Sequence, residues 1–170
     1  MISPIIKEPH KILHSKAVLI TEVTAEIQRL VETMIETMHV ANGVGLAANQ
    51  IGSDLNILVA SPDGQKGKEL VLLNAVILKH RGTTRLPEGC LSVPGVSAEV
   101  TRSAEVAVSG LDRQGKLVAL QADGLLAKIV QHEVDHLAGH LFLDRLTLWR
   151  RRRLLQKYRA LSETLRRIPI

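Results

Sequence analysis

Gln131-His132-Glu133-Val134-Asp135-His136 sets a cluster of ionisable side chains inside an apolar run, with Leu125, Leu126, Ile129 and Val130 before it and Leu137 after it. The apolar residues draw this helix into a core. Buried imidazoles and carboxylates are stable only with partners, so the fold must bring partners to them. His132 and His136 stand at i and i+4, one turn apart on one helix face, where both rings can reach a single metal ion. Glu133, beside the first ring, is placed to take a proton from a water at such an ion. The competing reading is a chance pairing on a solvated helix, and the apolar flanks argue against it.

Two imidazoles do not complete a catalytic zinc-type site, which usually has three protein ligands and a water. The metalloprotease pattern with a third downstream His needs that residue at 142, which is Phe142. Gly139 fits that pattern by accident and is read as the helix C-cap, with His140 beyond it as a surface residue. A downstream glutamate ligand would have to be Glu163, which lies in a strongly basic segment. Upstream lies Cys90, the only cysteine, within Leu86-Pro87-Glu88-Gly89-Cys90-Leu91-Ser92. It cannot form an internal disulfide and suits a reducing compartment. A lone Cys is commonly a small buried hydrophobe. Here Gly89, Pro87 and Pro94 instead predict a shaped loop that delivers the thiol to one place. A thiolate, two imidazoles and a water would make a four-coordinate site with one open position.

A third cluster is Gly43-Val44-Gly45-Leu46-Ala47-Ala48-Asn49-Gln50. Its glycines let the backbone approach a ligand closely, and it lacks the Gly-Lys-Ser/Thr ending of a phosphate loop. From this cluster alone, Gln50 is equally well an ordinary loop amide or a donor aimed at a developing oxyanion.

Together the three segments resemble the peptide deformylase family, in order and in separation. The resemblance extends more loosely from about residue 9 to 145, through Arg102, Leu111-Asp112-Arg113-Gln114-Gly115 and Ala122-Asp123-Gly124-Leu125. It implies a hydrolase that removes the formyl group from the N-terminal methionine of new proteins and releases formate. It implies that Cys90, His132 and His136 hold one metal ion, ferrous iron with zinc or nickel as substitutes. Glu133 is then the acid/base, and Gln50 and the Leu91 backbone N–H hold the oxyanion. The implied substrate-binding residues are Val44, Gly45, Glu88, Gly89 and Ile129, with the His132 ring in the methionine pocket. Two positions depart from the family pattern: Lys128 stands where an apolar residue is usual, and Ser97 where a larger one is frequent.

At 170 residues the chain is expected to be one domain with a sizeable core. Phe142, Trp149 and Tyr158 are the only aromatics, so aliphatic residues must fill that core. No apolar run reaches the length of a membrane helix. Met1-Ile2-Ser3-Pro4 lacks the basic start and apolar core of a signal peptide, and a soluble, cytoplasmic protein is expected. Ile27, Leu30, Val31, Met34, Ile35 and Met38 form one helical stripe that ends at Asn42-Gly43. Strands are predicted at Asn56 to Ala60, Glu69 to His80, Glu99 to Gly110 and Leu117 to Ala122. Asp63-Gly64 and Asp112-Arg113-Gln114-Gly115 are turn signals. Asp123 should cap the metal helix, which should run to about Leu137 with Lys128, Gln131 and Asp135 on its polar side. The expected class is α+β in a single domain: a central HExxH helix among antiparallel or mixed strands, an N-terminal amphipathic helix and a basic C-terminal helix. Residues 1–145 form the catalytic part, and 146–170 the basic helix of the same domain.

Charge is unevenly placed. Residues 145–170 carry nine Lys or Arg against Glu163 alone, formally +8, whereas the preceding 144 residues carry 13 basic and 16 acidic ones, formally −3. Leu154, Leu155, Tyr158, Leu161 and Leu165 are spaced for a helix that docks by one face. Its basic face is either solvated or directed at RNA phosphate. The family resemblance favours the ribosome near the nascent-chain exit. Nascent formyl-methionine peptides and the ribosome are thus the expected partners, with no membrane and no DNA. Two rivals are a zinc endopeptidase, which lacks its downstream ligand here, and a basic ribosome- or RNA-binding protein with a structural metal site, for which no second Cys is present.

Overall fold

A computed structural model describes residues 1–166. Helix α1 (Ala25–Val40) starts where Thr24 Oγ1 accepts the Ile27 N–H at 3.4 Å, a side-chain N-cap. It ends in a left-handed residue, Asn42 (φ 53°), with Gly43 N–H donating to the Met38 carbonyl and Asn42 N–H to that of His39. Those two bonds make a Schellman motif and direct the chain into the glycine segment.

That segment is not a free loop. Gly45–Ala47 is strand β1, paired antiparallel with β2 (Ile57–Ala60), and a 3-10 turn follows at Ala48–Ile51. Strands β3 (Leu70–Arg81), β6 (Glu105–Leu111) and β7 (Leu117–Asp123) complete an antiparallel five-stranded sheet in the order β1-β2-β3-β6-β7. The pattern in β2 is continuously apolar because both faces of the sheet are covered. Leu58 and Leu72 pack with Val130 and Leu137 of helix α2 (Gly124–Leu137) on one face. Ile57, Val59 and Leu73 pack with Val31, Met34 and Met38 of α1 on the other. Burying an aliphatic side chain of this size contributes about 1.5–3 kcal/mol.

The stretch predicted as one strand from Glu99 to Gly110 is two strands. The chain turns at Ser103-Ala104, so β5 (Val93–Arg102) leaves the main sheet and pairs with β4 (Thr84–Cys90), while β6 stays. The Cys90 segment is therefore a strand end, not a loop; Pro87 is tolerated because β4 has a partner on one side only. A third core unites this hairpin, Phe142 and helix α3 (Leu148–Arg166) through Leu13, Val93, Tyr158, Leu154 and Leu155. Leu148, Trp149 and Leu161 stay exposed, so α3 docks through its middle, Leu154 to Tyr158; Leu165, Arg166 and Arg167 have side chains outside the described residues. Among the described residues no helix is long and apolar enough to cross a membrane.

Helix α2 follows β7 directly and ends at Leu137, with Gly139 in the left-handed region (φ 82°) just past Ala138. Asp123 holds the N-cap position, but its side chain makes no capping bond. The expected polar side of α2 is also corrected. Lys128 is half-buried, whereas Gln131 and Asp135 are 6% exposed and fully engaged, Gln131 with the Ser103 backbone and Asp135 with two arginines. Helical spacing grouped them on one side, and strand β5 with its turn covers that side.

Candidate active site

The i, i+4 spacing on α2 brings the His132 and His136 ring centroids to 4.9 Å, and Phe142 stacks on the His132 ring at 6.3 Å. Strand β4 delivers Cys90 to the same point. Its Sγ lies 3.2 Å from His136 Nε2, and one ligand atom from each of Cys90, His132 and His136 falls within 4.8 Å of the other two. His136 is fully buried and His132 9% exposed. A thiol and two imidazoles converging inside a fold are the donor set of a soft or borderline transition metal, and the three side chains form a metal-binding triad.

The triad opens onto a cavity of about 530 Å³. Val44, Gly45, Glu88, Gly89 and Ile129 all line it, as do Gln50, Leu91 and Glu133. Gly45 is required by shape: a Cβ there would overlap Glu133 Oε1 and lie 2.6 Å from Ile129 Cγ2. Glu133 is 3% exposed, and its Oε2 has no hydrogen-bond partner. Gln50 accepts the Ala47 N–H through Oε1 at 2.9 Å. This orients its Nε2 toward Ser92 Oγ at 3.2 Å and Cys90 Sγ at 3.6 Å. His140, expected at the surface, is exposed.

The sequence profile of the polypeptide deformylase family matches residues 2–152. The chain belongs to that family. A peptide deformylase of Symbiobacterium thermophilum is 45% identical over 143 residues, 84% of this chain and 66% of that protein, so the aligned part spans just under two thirds of that relative. The crystal structure of a peptide deformylase from Legionella pneumophila is similar with a TM-score of 0.94 and 37% identity, over 99% of this chain and 100% of that one. The deformylase crystal structure from Thermus thermophilus gives 0.88 and 38%, over 94% and 95%.

In this deformylase family member, a second ring of residues holds the triad, and sequence reading did not assign most of it. Glu88 Oε2 meets His132 Nδ1 at 3.1 Å, which leaves the other ring nitrogen for the metal. Arg102 donates two bonds to Glu88, at 2.8 and 3.0 Å, and a third to Asp135. Arg145 closes the chain on Asp135. The signal was present in the sequence: two carboxylates beside metal ligands need cations, and Arg102 lies within the family-like stretch. Asn49 Nδ2 donates to the His136 carbonyl and Ser92 N–H to Cys90 Sγ; neither contact follows from residue type.

Electrostatics follows this ring. Burial alone would raise the Glu88 pKa, but the bonds from His132 and Arg102 outweigh it and hold it down at about 2. Burial pushes Glu133 up to about 7, as does the Glu88 charge, with His132 acting in the opposite sense. Burial, then the charges of His132 and Arg102, drive His136 well below its ordinary value, which keeps its ring neutral and able to ligate.

Replacing Arg102 by Met should cost about 3–5 kcal/mol at neutral pH, because it leaves buried Glu88 without its only guanidinium and Asp135 with Arg145 alone. Glu88 and Asp135 both have depressed folded-state values. Their contribution is therefore present above the unfolded carboxylate pKa of about 4 and lost as pH falls through the folded values. The wild-type advantage over the variant should shrink between about pH 5 and 2. Urea unfolding across that range measures it, and a pH-independent difference would contradict it.

Proposed function

We propose that this chain hydrolyses the formyl amide of N-terminal formyl-methionine and releases formate. One observation carries the reading: a thiol–bis-imidazole triad beside the partnerless oxygen of a buried carboxylate, in one cavity, in a member of the polypeptide deformylase family. Cys90, His132 and His136 hold the metal, which we take to be ferrous iron, with zinc or nickel as substitutes. When bound, the ion supplies Lewis acidity that lets a water lose a proton near neutral pH.

Glu133 accepts that proton; burial keeps its carboxylate basic enough for the task. The Gln50 amide and the Leu91 N–H receive the negative charge that develops on the formyl oxygen. Glu133 then returns the proton to the departing amine. Val44, Glu88, Ile129 and the His132 ring contact the methionine side chain, and Gly45 and Gly89 bring backbone close to the substrate. A zinc endopeptidase lacks its downstream ligand, and a structural site would need a fourth protein ligand where the cavity opens. Metal-dependent formate release from a formyl-Met peptide, with the acetyl-Met peptide inert, is the expected result; no formate would overturn the reading.

We also assign residues 146–170 to the same domain as 1–145, and the basic face of α3 to the ribosome, in a cytoplasmic protein acting on nascent chains. Packing of Leu154, Leu155 and Tyr158 supports the first assignment. Exposure of Arg150, Arg152, Arg153, Lys157 and Arg159 supports the second. Arg151 is a poor probe because it pairs with Asp144 at 2.9 Å. Changing Arg150, Arg152 and Lys157 to Glu should abolish salt-sensitive co-sedimentation with ribosomes and spare peptide hydrolysis. Undiminished co-sedimentation would return α3 to a solvated helix.

A further inference from the structure

The charges around the cavity are lopsided. Its lining holds five residues with acidic or basic side chains apart from the thiol: Lys7, Glu88, Lys128, His132 and Glu133. Glu88 is 2% exposed and doubly bonded to Arg102, and Glu133 is 3% exposed, so neither presents charge at the mouth. Lys7 and Lys128 do. Lys7 Nζ donates to the Leu91 carbonyl and Lys128 Nζ to the Pro87 carbonyl, and neither forms an ion pair among the described residues. Each ammonium has three donors, so each keeps capacity for a ligand while its backbone bond fixes it at the rim. Pro87 and Leu91 are four residues apart, and because an irregularity at Gly89–Cys90 and a turn at Leu91 intervene, their carbonyls lie within the extended-chain limit of about 13 Å. An extended peptide covers that distance in about four residues.

We propose that Lys7 and Lys128 make this cleft select formylated peptides that carry acidic side chains in the few residues after methionine. The inference rests on the function proposed above and specifies its substrate class. Attraction at such an exposed rim acts on capture of the peptide and is screened within about 10 Å at 0.1 M salt. It therefore belongs in KM and disappears at high ionic strength.

The test uses three formyl-Met peptides of equal length, amidated at the C-terminus to remove the terminal carboxylate, with Glu, Gln or Lys at positions two to four. At low salt kcat/KM should be about tenfold higher for the Glu than for the Lys peptide, the scale of two exposed charge pairs. The difference should lie mainly in KM and collapse at 1 M salt. In the Lys7→Gln/Lys128→Gln double variant the spread should fall below about twofold with the Gln peptide unaffected. The single variant Lys128→Glu should move preference toward the Lys peptide, which keeps the test decisive if the double variant is unstable. Equal rates on all three peptides, or an acidic preference that survives both variants, would overturn the inference while hydrolysis of the Gln peptide left the proposed function standing. Failure on all three peptides would overturn both.

Discussion

Glu133→Gln is expected to lower kcat by about 10²–10⁴-fold while bound metal stays at the wild-type level. The amide preserves the shape that fits against Gly45 and Ile129 but cannot accept a proton. The carboxylate is also conspicuous energetically: it is buried, one oxygen has no partner, and its pKa is pushed up to about 7. A buried carboxylate in that state calls for an explanation, and proton transfer supplies one. Cys90→Ser and His136→Ala are the counterpart, because each removes a ligand atom from the triad and should strip the metal by a large factor. Atomic-absorption analysis beside a kinetic assay separates the two behaviours. Full activity in Glu133→Gln would assign proton transfer to another group, and full metal occupancy in both ligand variants would dismantle the triad.

Gln50→Ala should reduce kcat by about 10²–10³-fold, as for loss of one oxyanion donor, with a smaller change in KM. Its Oε1 accepts the Ala47 N–H and one N–H meets Ser92 Oγ, so the amide is oriented before substrate arrives, and the N–H on the side of Cys90 Sγ, a looser 3.6 Å contact, is the one an oxyanion would take. Such preorganisation acts on charge that develops in the transition state more than on the neutral formyl group. An effect confined to KM would make Gln50 a substrate-positioning residue instead.

The two histidines and Glu133 were legible because helical periodicity is rigid: i and i+4 share a face wherever the helix lies. Cys90 was legible for a different reason, as the only thiol in a chain whose histidine pair lacked a ligand. The rest depended on long-range placement. Gln131 and Asp135 read as a solvated stripe because polarity indicates exposure only when nothing covers the face, and here β5 and its turn do. Glu99 to Gly110 read as one strand because valines lie on both sides of Ser103-Ala104, where the chain changes sheets. In the Glu88–Arg102–Asp135–Arg145 chain, the β4–β5 hairpin meets α2 and the turn after it; residue type showed that the carboxylates need cations, but not which arginines the fold would bring.

The most direct test of the account is a product balance on a formyl-Met peptide of ten or more residues incubated with the metal-loaded protein. Formate and the intact deformylated peptide should appear in equal amounts, formed far faster than with metal-stripped protein or Glu133→Gln. Internal fragments of the peptide, or formate released no faster than in those controls, would contradict it.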